Sequence, residues 1–65
     1  MLIRSIEPFL RRHHMAPTHF GRLAAHDPRL VFDLRDGREA GRVVEARCQA
    51  FMAGYEKGKE SADVR

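Results

Sequence analysis

The chain has no tryptophan, one tyrosine (Tyr55), one cysteine (Cys48) and only two lysines (Lys57 and Lys59) among its 65 residues. With a single cysteine no internal disulfide forms, and a structural zinc site of the multi-cysteine kind is excluded. The longest apolar runs are three or four residues. No membrane-spanning helix is therefore expected. The first residues also lack the apolar core of a signal peptide, so the expected compartment is the cytoplasm. There is no glycine-rich phosphate loop, no supported Ser/His/Asp set and no pair of carboxylates on a plausible cleft. Catalysis is not expected, and a chain this short leaves little room for a substrate pocket or cofactor. The four histidines do not suggest a metal site. His13 and His14 are adjacent and would point about 100° apart on a helix, while His19 and His26 fall at opposite ends of another segment.

What is present points to a small globular domain. Hydrophobic residues make up 43% of the chain, too many for a disordered sequence. A chain of this length buries only about 60% of its unfolded surface, so dimerisation or a bound partner would add useful stability. The net charge is +3 and the pI about 9.8. Ten of the twelve basic residues are arginine, the side chain suited to forked contacts with phosphate and guanine. The charge is uneven. Residues 1–38 carry seven arginines against four acids, whereas residues 39–65 are neutral. The positive field thus lies in the first part of the chain, as an electrostatic footprint for nucleic acid requires.

Apolar spacing predicts four helices and no strand. Ser5 is a capping residue and Pro8 suits a first turn, which predicts helix 1 over about 6–14, with Phe9 and Leu10 inward and Arg11 and Arg12 solvated. Pro17 begins a second helix over about 17–25, with Phe20, Leu23 and Ala24 inward. Gly21, inside that helix, implies close approach of another helix. Asp27-Pro28 restarts the chain as a helix over about 28–36, with Leu30, Val31 and Leu34 inward and Gly37 as its left-handed stop. Val44, Cys48, Phe51, Met52 and Tyr55 form the clearest stripe and predict a fourth helix over about 40–55. Its end is expected at Gly54 and Gly58. Residues 1–56 are then one domain, and residues 57–65 a polar, flexible tail.

The stretch from Pro17 to Gly37 resembles the helix-turn-helix of the lambda-repressor-like (Cro/CI, XRE-type) DNA-binding family, aligned without a gap. Phe20 takes the large apolar place of the first helix, Gly21 the small-residue place that is usually Ala, and Ala24 the second apolar place. Ala25 falls where the family's turn usually has Gly, and is expected to adopt positive φ or distort the corner. Asp27 stands at the cap of the recognition helix, Val31 and Leu34 at its buried places, and Gly37-Arg38 at its end.

This resemblance implies a compact all-α, four-helix domain and a small, sequence-specific transcriptional regulator of bacterial or phage type. It would bind double-stranded DNA as a homodimer with helix 28–36 in the major groove, at the nucleoid. Arg29, Phe32 and Asp33 would reach base edges. Thr18, His19, Arg22, Arg35 and Arg38 would meet backbone phosphate. Asp33 and Asp36 put negative charge on the same outer face. They, with Phe32, motivate an alternative: a protein-interaction module that docks on RNA polymerase or another transcription factor through the same helical pair.

Overall fold

Four amphipathic stretches of the sequence become four helices: α1 (Leu2–His13), α2 (Pro17–Ala25), α3 (Leu30–Arg35) and α4 (Arg42–Asp63). This computed structural model describes the backbone of residues 2–63 and the side chains of residues 2–58, and no strand occurs among the described residues. The all-α, four-helix class expected from apolar spacing is the one observed. α2 packs on both α3 and α4, and α1 packs on α3. No described helix is long and apolar enough to cross a membrane.

An aromatic cluster joins α1, α2 and α4. Phe9 is its centre, with ring centroids 5.7 Å from Phe20, 6.1 Å from Phe51 and 5.5 Å from Tyr55, all edge-on. Such pairs add about 0.5–1.5 kcal/mol each beyond area burial. Around them lie the buried side chains of Ile6, Leu10, Leu30, Val31 and Cys48. Val44 and Phe51 are half-buried at the edge of this core. Leu23, expected inside, is 50% exposed. The buried face of α2 is centred on Phe20, Gly21 and Ala24, because Gly21 itself is a contact point, and this rotates Leu23 outward.

Two helices run further than expected. α1 begins at Leu2 rather than 6 and ends at His13, so Pro8 lies inside it. An interior proline costs about 3 kcal/mol. Leu2 is 7% exposed and Ile6 fully buried, and burying two such side chains contributes about 1.5–3 kcal/mol each, which outweighs that cost. α4 starts at Arg42, after Gly41 accepts the first helical bond from Glu45, and continues through Gly54 and Gly58 to Asp63. Tertiary contact holds the turn after Gly54: Tyr55 packs on Phe9 and His13, and Glu56 is bound by Arg12 and His13 of α1. Residues 57–63 of the expected polar tail are therefore helical, and residues 64 and 65 lie outside the described residues.

α1 and α2 both end on a histidine in the left-handed region, His14 at φ 50 and His26 at φ 55. At the first stop Met15 N–H donates to Leu10 O at 2.9 Å and His14 N–H to Arg11 O at 3.4 Å, a Schellman pair. A residue with a Cβ pays about 1–2 kcal/mol in this conformation. His26 is exposed. His26→Gly is expected to stabilise the domain by about 0.5–1 kcal/mol, the strain removed less the entropy glycine loses on folding. Thermal unfolding followed by circular dichroism measures this, and an unchanged or lower midpoint would contradict it.

Candidate nucleic-acid interface

The α2–α3 pair closes on Gly21. A Cβ there would lie 2.1 Å from the Asp27 carbonyl oxygen and 3.2 Å from its carbon. The chain leaving α2 crosses back over that helix, and only a residue without a side chain permits this approach. Two backbone bonds tie the exit down: His26 N–H donates to Arg22 O at 3.1 Å, and Asp27 N–H to Gly21 O at 3.0 Å. Ala25, expected to adopt positive φ, stays within α2 and packs against the core. The left-handed residue falls one place later, at the exposed His26.

Asp27 then opens a type I turn. Leu30 N–H donates to Asp27 O at 3.1 Å, Pro28 occupies the second place, and Arg29 the third at φ −97, ψ 0. The Asp27 side chain caps the turn by accepting the Arg29 N–H at 3.0 Å on Oδ1. The turn takes up Pro28 and Arg29, so α3 starts at Leu30 rather than 28. It stops at Arg35 rather than 36. The stop is the one Gly37 suggested: Gly37 has φ 103, its N–H donates to Leu34 O at 3.2 Å, and Arg38 N–H donates to Asp33 O at 2.9 Å.

The side chains expected to contact DNA fall into two groups. Thr18, His19, Arg22 and Arg29 are exposed, and Arg22 and Arg29 make no ion pair among the described residues. Phe32 is 45% exposed, with the Arg35 guanidinium 5.8 Å from its ring centroid. The others are engaged within the molecule. Arg35 donates from Nε and Nη2 to the two carboxylate oxygens of Glu7, at 2.7 and 2.8 Å. Arg38 Nη1 bridges Asp33 Oδ2 at 3.0 Å and Asp27 Oδ2 at 3.3 Å. Asp33 is thus half-buried and neutralised by Arg38, and its carboxylate pairs with neither Arg29 nor Arg35.

These pairs perturb their members. The Arg35 hydrogen bonds hold the Glu7 carboxyl below its ordinary value; burial opposes them, and the charges of Arg35 and then Arg11 add lesser lowering effects. Asp27 and then Asp33 raise Arg38 further. On the far side of the domain His13 and then Arg12 lower Glu56 in the same way. Burial raises the Cys48 thiol, which makes it a packing residue and a poor nucleophile at neutral pH. Glu7 was not among the expected site residues. It is 28 positions from Arg35, and no local spacing connects them. A scan of protein-family models finds no match to this chain, and searches of curated proteins and solved structures find none either, so the helix-turn-helix resemblance stands on the residues named above.

Proposed function

We propose that the chain is a small DNA-binding regulator of bacterial or phage type that reads double-stranded DNA with the outer face of the α2–α3 pair. The observation that carries this reading is the corner itself: α2 and the entry to α3 meet at a glycine, and the exposed, uncommitted Arg29 stands at that entry. Arg29 forks onto guanine, and Phe32 lies against a thymine methyl. Thr18, His19 and Arg22 take backbone phosphate. Asp33 belongs less to base reading than to holding Arg38. Arg35 and Arg38 reach phosphate only by leaving their carboxylates, an exchange that costs little for exposed ion pairs. A homodimer would read two half-sites about 34 Å apart, one helical turn, and the protein would act at the nucleoid.

Selection from a random duplex library, followed by fluorescence titration, tests the reading. Arg29→Ala is expected to lose about 1–3 kcal/mol of discrimination at one base position while keeping most of its non-specific affinity. No binding by the parent chain even at low salt would overturn the reading. Unchanged preference in the variant would remove Arg29 from the base-reading set.

A second reading rests on exposed apolar surface. Leu23 is 50% and Phe32 45% exposed, one on each helix of the pair. A partner protein such as RNA polymerase or another transcription factor would cover both. One stoichiometric protein partner whose binding is lost in Phe32→Ala, with no duplex binding, would favour this reading over the first.

A further inference from the structure

Glu7 lies outside the proposed DNA-contacting set, but it is the acid that holds Arg35. Its two oxygens accept the Arg35 fork at 2.7 and 2.8 Å, and the same guanidinium lies over Phe32. On α1, Arg4 precedes Glu7 by three residues and Arg11 follows by four, which puts all three on one helix face. Arg4 and Arg11 are exposed and make no ion pair among the described residues. The Arg11 charge is felt at the Glu7 carboxyl. One carboxylate is therefore paired with the Arg35 guanidinium of α3, on an α1 face that also carries Arg4 and Arg11.

We propose that this α1–α3 face is a second backbone-contacting surface, where Arg4, Arg11 and Arg35 bind duplex phosphates and Glu7 is the anion that a phosphate displaces. The inference rests on the duplex-DNA reading of the α2–α3 pair. A guanidinium fork accepts phosphate with the geometry it offers a carboxylate. The pair is accessible, with side chains 40% exposed for Arg35 and 30% for Glu7, so a phosphate reaches the fork without any rearrangement of the helices. The Phe32 ring beneath Arg35 keeps the guanidinium on this face after Glu7 is released. Backbone contacts carry no sequence information. Glu7 thus lowers affinity for all duplexes alike, and the surface is engaged only where α3 already brings the phosphates close.

The test uses the whole chain and a labelled random-sequence duplex, titrated over a series of NaCl concentrations. Glu7→Gln keeps the side-chain shape and removes the charge. It is expected to bind roughly 3–10-fold more tightly near 0.1 M salt, with a log K against log salt slope steeper by up to about 0.9, because the Arg35–phosphate contact then forms in every complex and not only in those where phosphate has displaced Glu7. The same substitution in an Arg35→Ala background should leave the slope unchanged. Glu45→Gln, which removes one charge from the first turn of α4, should also leave it unchanged. Equal slopes for the parent and Glu7→Gln, with both binding, would overturn this inference and leave the DNA reading intact. A slope steepened equally by Glu45→Gln would overturn it as a bulk-charge effect. Binding by neither protein at low salt would overturn both.

Discussion

Gly21→Ala is expected to lower the thermal unfolding midpoint by roughly 8–16 °C, the equivalent of about 2 kcal/mol in a domain of this size. Two effects oppose each other. Alanine improves helix propensity at this place by about 1 kcal/mol. Its Cβ would meet the Asp27 carbonyl oxygen at 2.1 Å, and the atom in the way is backbone, held by its own bond from the Leu30 N–H. Overpacking costs about 1–3 kcal/mol where side chains can give, and more where they cannot. The steric term wins, because relief requires moving the turn that starts α3. The same variant should lose duplex binding more steeply than stability, since the displaced turn carries Arg29. The result also bears on the family resemblance. That place is usually Ala in lambda-repressor-like proteins, and the approach here is too close for it. A melting midpoint within about 2 °C of the parent, well under 1 kcal/mol, would show that the corner is as open as in that family.

Phe9→Ala is expected to abolish the cooperative unfolding transition at room temperature. Removing a buried phenylalanine costs about 3–5 kcal/mol. A single core in a chain this short supplies about that much net stability in total. Phe9 is 2% exposed, and its ring is edge-on to Phe20, Phe51 and Tyr55 and tilted against His13 at 4.6 Å. The Phe51 ring also meets α1, α2 and α4, but Phe51 is only half-buried whereas Phe9 lies inside the core. Phe9→Leu, which keeps most of the volume, should retain a cooperative melt at a lower midpoint. A Phe9→Ala protein with parental helicity and a sharp transition near the parental midpoint would mean that the aromatic cluster is not the keystone of the fold.

The helix ends show where local chemistry was enough. α2 spans Pro17–Ala25, the span that Pro17 and its apolar spacing indicate. Gly37 stops α3 in the left-handed conformation it was expected to adopt. These features depend on a proline's fixed φ and a glycine's missing side chain, which act within a few residues. The ends of α1 and α4 depend on distant partners. Pro8 reads as a helix start by itself, and only the burial of Leu2 and Ile6 against the rest of the core carries the helix back across it. Gly54 and Gly58 read as an end, and Phe9, Arg12 and His13, all more than 40 positions away, hold the turn that follows.

The outer face divides in the same way. Sequence alone was sufficient to establish an all-α chain of four helices, a glycine where two of them meet, and arginine-rich charge concentrated in residues 1–38, because composition and helical period are local properties. Which arginines remain uncommitted was decided by tertiary structure. Arg35 meets Glu7 across 28 residues and Arg38 meets Asp27 across 11, while Arg29 and Arg22 make no ion pair among the described residues. Ion pairing depends on distance in space, which a spacing of 28 along the chain does not encode, and folding alone brings those charges within reach of one another.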